Sequence, residues 1–359
     1  MVKKLKLALL SALSMSGLAH AQSSVELYGI IDTGVMYVSN VGGHSTWLAD
    51  PDAAAPNLFG LRGSEDLGGG MKAIFKLEGM FSLNNGQSVN GLFGHETYVG
   101  LRDDRFGTLT MGNQIDFMFY SLVVDHWGPA FPFVSSLNLR QGSFTGLNVP
   151  NGPPGNNSFD FDRTLGAPIP NSVKYVSPTL AGLSFGAQYS FGGQSGAFGQ
   201  DSAQSYGINY HLGALALNGA YTYVKYPQLN NGNAGIRNLG LGASYVVGPA
   251  ELAAMYTSTQ NTQNGARVGV YEGDLTWTFS PFFHANLAYE YMKGNETLMN
   301  QKASQETLSL MYSLSKRTSI YAGLAFQQGS GGPAWISLVP GPASGGRQTA
   351  ADIGIEHVF

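Results

Sequence analysis

Phe283-His284-Ala285-Asn286-Leu287-Ala288-Tyr289-Glu290-Tyr291 alternates apolar with small or polar residues. Successive side chains of an extended chain point to opposite sides, so Phe283, Ala285, Leu287, Tyr289 and Tyr291 share one face. His284, Asn286, Ala288 and Glu290 share the other. The pattern repeats downstream. Leu308, Leu310, Tyr312 and Leu314 interleave with Thr307, Ser309, Met311 and Ser313. Ile320, Ala322, Leu324 and Phe326 interleave with Tyr321, Gly323, Ala325 and Gln327. A β-sandwich alternates too, but its apolar face packs on a second sheet. A membrane barrel turns that face to lipid.

The other end of the chain chooses between them. Lys3, Lys4 and Lys6 precede an apolar stretch from Leu7 to Leu18, followed by Ala19-His20-Ala21. Basic, apolar and small residues in that order make a secretory leader. The apolar part falls short of the roughly 20 residues a membrane helix needs. Cleavage is expected after Ala21, giving a leader (1–21) and one mature domain (22–359). Without the three leader lysines, the 19 basic residues fall to 16 against 23 acidic ones, a net charge of −7. Nucleic-acid partners call for a basic stripe, so none is expected. The chain has no cysteine, which rules out disulfides and thiolate metal sites.

Charged residues are 12% of the chain, about half the usual share for a soluble domain. No apolar run beyond residue 21 is long enough for a membrane helix. Lipid demands that every backbone polar group be paired internally, which leaves a closed barrel. Short connections at 66–70, 103–107, 247–249, 280–281 and 315–318 alternate with longer ones at 84–93, 192–202, 227–235, 260–266 and 329–346. Short turns belong on the periplasmic side and long loops outside. Strand starts are expected near Val25, Asn57, Met71, Gly94, Thr108, Asn171, Gly182, Ala203, Ala214, Arg237, Glu251, Arg267, Phe282, Ser304, Thr318 and Gln348. The fold class is therefore all-β, a transmembrane antiparallel barrel of sixteen strands. Ile353, Ile355, His357 and Phe359 share a face, and the terminal aromatic is expected in an interfacial girdle.

One connection breaks the rhythm. Residues 115–169 show no sustained alternation and carry Pro129, Pro132, Pro150, Pro153, Pro154 and Pro168. So long a loop is functional or disordered. Asp125, His126, Trp127, Phe131 and Phe133 make it too aromatic for plain disorder. It is expected to fold into the lumen, because about sixteen strands enclose a channel too wide to sieve solutes.

These residues resemble the trimeric general porins of Gram-negative outer membranes, in particular the beta-proteobacterial branch. The resemblance spans the mature chain. It is carried by Leu27-Tyr28-Gly29-Ile30-Ile31-Asp32, by Phe59-Gly60-Leu61-Arg62-Gly63-Ser64-Glu65-Asp66-Leu67-Gly68-Gly69-Gly70 and its continuation to Glu78, by Tyr98-Val99-Gly100-Leu101, by Asn171-Ser172-Val173-Lys174-Tyr175, and by His357-Val358-Phe359. It implies a homotrimer in outer-membrane lipid and lipopolysaccharide, passing small hydrophilic solutes and ions, with the third external loop inserted into the pore and no cofactor or metal. It also implies wall arginines facing loop acids, a transverse field that selects ions. Three of those wall positions are Leu58, His95 and Asn113, while Arg163 matches. On the two-residue period Arg62, Lys72 and Lys76, with Asp32 and Glu78, are expected on the lumen face, and Asp116 and Asp125 in the loop. These substitutions predict a less basic eyelet and a weak cation preference. A lumen His95 would gain charge in mildly acid medium, unless it is hydrogen-bonded as the neutral ring.

Other chemistry finds little support. The histidines (His20, His44, His95, His126, His211, His284, His357) lie in no catalytic motif, and no serine sits in a Gly-x-Ser-x-Gly setting; no enzyme is expected. Gly68–Gly70 lacks the Lys-Ser or Lys-Thr of a phosphate loop. The pairs Asp50/Asp52 and Asp160/Asp162 read as solvated loop acids before calcium ligands. Two further readings remain. One is a substrate-specific channel with Tyr120, Trp127, Phe131 and Phe133 as an aromatic slide. The other is a closed barrel serving as receptor or adhesin.

Overall fold

The computed structural model describes residues 24–50, 52–150 and 156–359. The leader and its cleavage site lie outside them. The chain forms β1 (Ser24–Val41), β2 (His44–Asp50), β3 (Leu58–Gly68), β4 (Met71–Phe81), β5 (Ser88–Val89), β6 (Glu96–Asp103), β7 (Gly107–Ile115), β8 (Pro168–Val176) and β9 (Leu183–Ser190). It continues with β10 (Ala203–Leu212), β11 (Leu215–Lys225), β12 (Gly235–Val247), β13 (Ala250–Asn261), β14 (Arg267–Ser280), β15 (Phe283–Gly294), β16 (Lys302–Ser313), β17 (Thr318–Ser330) and β18 (Arg347–Val358).

Each pairs antiparallel with its neighbours in one sheet, and β1 closes the ring on β18 from Ile30↔Val358 to Val38↔Ala350. Phe359 completes the seam, exchanging backbone hydrogen bonds with Gly29. The eighteen segments make sixteen staves. β1 pairs with β3 below Ile30 and with β2 above Gly34, so β2 and β3 are halves of one stave. β5 and β6 likewise share the same edge of β4.

Alternation sets which way each residue faces. On β15, Leu287 and Tyr289 are exposed, whereas Asn286, Ala288 and Glu290 are buried. Exposed aromatics mark both rims: Phe106, Trp277, Phe279, Phe282, Tyr312 and Phe359 near the short turns, Tyr206, Tyr271 and Tyr289 toward the long loops. That is the girdled apolar belt of a lipid-facing surface.

The strand starts fall within a few residues of expectation, with one correction. The second stave begins at His44, directly after a turn at Gly42-Gly43, and not near Asn57. Between β2 and β3 the chain leaves the ladder and folds inward. Asp32 holds that bulge: its carboxylate accepts from the Ala54 and Ala55 amides at 2.8 and 2.7 Å. A stave broken by polar Asp52 and small Ala53-Ala54-Ala55 carries no two-residue period, so alternation misses its upper half.

Candidate functional site

The connection from β7 to β8 lies inside the barrel as a chain of short turns: Phe117–Phe119, Tyr120–Asp125, Gly128–Phe133, Ser136–Asn138 and Thr145–Leu147. Asp116 opens the first of them, accepting from the Met118 amide at 2.9 Å. This loop lies against the lumen face of β9 to β17, and the wall is cut to receive it. A Cβ on Gly186 or Gly207 would strike the Phe117 ring, one on Gly240 would strike Leu122, and one on Gly242 would strike His126. Only glycine permits so close an approach. Phe117, Met118, Leu122, Val123 and Trp127 are buried in this groove with Ala220, Ala253 and Met255 of the wall. Full burial of such side chains stabilises by roughly 1.5–3 kcal/mol each.

Lumen-facing polar residues then satisfy the loop backbone. Asn238 and Gln305 donate to the Phe161 and Leu137 carbonyls, both at 2.8 Å. Ser244 and Asn261 donate to the His126 and Leu147 carbonyls, at 2.7 and 2.8 Å. Lys174 of β8 donates to the Ile115 carbonyl at 2.8 Å and stands 4.0 Å from the Tyr120 ring centroid. The strongest tie is ionic. Arg140 is buried against Glu272, with Asp162 at 3.2 Å and Glu290 at 3.4 Å. Glu272 and Glu290 are directly opposite on β14 and β15. Like charges so placed repel, and the guanidinium between them offsets that.

The loop's two ends are stapled together. Arg163 pairs with Asp116 and donates to the Ala167 carbonyl at 2.6 Å. Burial opposes its charge, but Asp116, Tyr226 and Asp160 together hold the guanidinium above its ordinary value. Burial, then Asp162, pushes Asp160 up to about 8. Burial pulls His126 down to about 4.

With the loop on that side, the open space lies against β18, β1, β3, β4 and β6. It is a cavity of about 390 Å³. Phe119, Tyr120, Phe131, Pro132, Val134 and Leu139 line it from the loop. Leu58, Lys76, Glu78, His95, Glu96 and Glu356 line it from the wall. Lys76 Nζ sits 3.0 Å from Glu78 and 2.7 Å from Glu96. His95 Nδ1 is 2.6 Å from Glu78. Tyr28 donates to Glu78 at 2.7 Å, and Tyr120 crosses from the loop to donate to Glu96 at 2.8 Å.

The structure thus brings together Leu58, Lys76 and His95 and separates the rest. Arg163, expected as a constriction arginine, is paired with Asp116 in the loop's base, and neither of the two lines the cavity, although their neighbours Ile115, Thr164 and Leu165 do. Asp32 is buried under its bulge, where Tyr321 also donates to it at 2.5 Å. Arg62 pairs with Glu26 at 2.8 Å and is exposed toward the short-turn rim. Asp125 is tied to His211 at 2.9 Å and Asn218 at 2.7 Å on β10 and β11. Asn113 turns to the Gly94 and His95 carbonyls at 3.0 and 3.2 Å and braces the segment that carries His95. Asp160 and Asp162 are buried, not solvated. Glu96 and Arg140 escaped sequence reasoning. Glu96 stands at the ragged start of a stave. Arg140 lies in a stretch without period, although it is the only Lys or Arg between Arg105 and Arg163.

A family model described as Gram-negative porin matches residues 7–332. Outer membrane porin protein 32 of Delftia acidovorans is 29% identical over 99% of this chain and 100% of its own. An outer membrane porin protein of Bordetella pertussis is 28% identical over the full length of both. Among solved structures, the anion-selective porin from Comamonas acidovorans superposes with a TM-score of 0.77 at 25% identity, covering 94% of this chain and 100% of that one. With a closed sixteen-stave barrel, a loop inside it and a family match along most of its length, this chain belongs to the Gram-negative porins and is a protein of the outer membrane.

Proposed function

We propose that the protein is a homotrimeric, water-filled channel for passive diffusion of small hydrophilic solutes and ions, embedded in outer-membrane lipid and lipopolysaccharide, with a weak preference for cations. The observation that carries the selectivity is the charge of the lumen wall. Glu78, Glu96 and Glu356 line the open space beside Lys76 and His95, Asp32, Glu272, Asp274 and Glu290 lie buried on the same inner face, and Arg62, Lys72 and Arg102 share that face toward the short-turn rim. The loop adds Arg140 and Arg163, both committed to carboxylates. Fixed charge of one sign along a narrow, low-dielectric pore concentrates counter-ions. Leu58 and His95 at the cavity support the same reading, since they stand where the family resemblance implies arginines. The porin from Comamonas acidovorans is anion-selective, a property of that protein.

Liposome swelling tests the diffusion reading. Rates should fall smoothly as neutral solutes grow. One solute far above the trend would favour a substrate-specific channel, and no swelling a closed barrel. The aromatic loop face is what favours a degree of specificity.

A further inference from the structure

The cavity has two unlike faces. Phe119, Tyr120 and Phe131 form an aromatic surface on the loop, with Phe119 and Phe131 edge to face at 6.1 Å and Phe119 and Tyr120 at 5.5 Å. All three are partly exposed to the open space. Opposite them is a wall richer in carboxylates than in bases. Lys76 is shared by Glu78 and Glu96. Glu356, on β18, lines the same cavity and has no cation in ion-pair range among the described residues. Asp32 lies directly across the seam from it.

We infer that the eyelet is a binding site for organic cations that carry an aromatic ring, the ring resting on Phe119 and Phe131 and the ammonium directed to Glu356. The volume falls within the roughly 300–1,000 Å³ of ordinary small-molecule pockets. Apolar walls with a few convergent polar groups are what such pockets share. Aromatic faces also attract cations through the ring quadrupole, so ring and charge are recognised together. A ring without charge loses the carboxylate, and a charge without ring loses the loop face. The inference rests on the proposed cation-preferring channel and names the solute class that such a channel retains.

The test uses the purified native oligomer in a planar bilayer, with potassium current as the readout. Phenethylammonium should reduce that current saturably. Butylammonium, with the same charge and no ring, should need about tenfold more, equivalent to ~1.4 kcal/mol. Phenylacetate, with the ring and the opposite charge, should leave the current unchanged. Glu356→Gln and Phe131→Ala should each weaken the phenethylammonium block about tenfold. Equal block by butylammonium, or block untouched by both variants, overturns the inference. The native comparison stands even where a variant does not assemble. A salt-gradient potential recorded in the same membranes separates the two readings: chloride preference with block intact defeats only the selectivity, and potassium preference without block defeats only the site.

Discussion

Arg140, on the inserted loop, makes a buried ion pair with Glu272 of the barrel wall, 132 residues further along the chain. That contact fixes where the channel is open. Asp162 and Glu290 complete the cluster, so a single guanidinium balances loop and wall acids at once. Removing one partner of such a buried pair costs about 3–5 kcal/mol, chiefly because the other charge stays buried alone. Arg140→Ala should release the loop from β14 and β15. Single-channel conductance should rise and the open current become noisier, while the barrel's unfolding temperature moves little, because its hydrogen-bonded ladders do not involve the loop. Unchanged conductance and noise would count against the latch.

The glycine groove gives an independent handle on the same loop. Gly240→Val should force Leu122 out of its seat at a cost of about 1–3 kcal/mol, the usual range for overpacking. The loop should become accessible to protease in detergent. Shortening the opposing side chain makes room, so adding Leu122→Ala should restore part of the protection. Additive losses in the double variant would show that the two residues do not meet.

The pH dependence of the loop should be set largely by Asp160. Its folded value is pushed up to about 8 by burial and by Asp162, with Arg163 acting the other way. A raised carboxyl value means that the folded loop holds the proton more tightly than the unfolded one. The stabilisation is complete below the ordinary carboxyl range and is lost as pH rises through about 8. Open-channel noise should therefore increase as pH rises from about 4 to 8 and level off above that, and Asp160→Asn should remove that rise. An identical response in the variant would place its origin elsewhere.

Selectivity should answer to one wall position. His95 meets Glu78 at the rim of the cavity. His95→Arg places a permanent positive charge there and neutralises part of the Glu78–Glu96 pair. The zero-current potential should shift toward chloride by several millivolts, a modest change because the remaining wall carboxylates are untouched. A shift toward potassium would contradict the assignment of this face to the ion path.

How much of this was legible beforehand differs from part to part. The lower barrel was readable because lipid on one side and water or loop on the other impose a strict two-residue period. Leu287 and Glu290 face opposite ways for that reason alone. The upper half of the second stave was not readable, since Asp32 folds its inward bulge by long-range hydrogen bonds that leave no local pattern. The loop's destination followed from its length and aromatic content. Its polarity did not. Arg163 looked like an eyelet arginine by position, yet its partner is Asp116 at the other end of the loop, and only folding brings the two together. Lys76 and Glu78 were legible as lumen residues. Their coupling to Glu96 depends on register between β4 and β6, which sequence alternation cannot supply.

The most direct measurement is the zero-current potential of the native oligomer in a planar bilayer separating concentrated from dilute potassium chloride at neutral pH. The lumen charge described above predicts discrete conductance steps and a potential that is positive on the dilute side, the sign of net potassium flow. A potential negative on the dilute side, or a membrane that shows no steps, would contradict it.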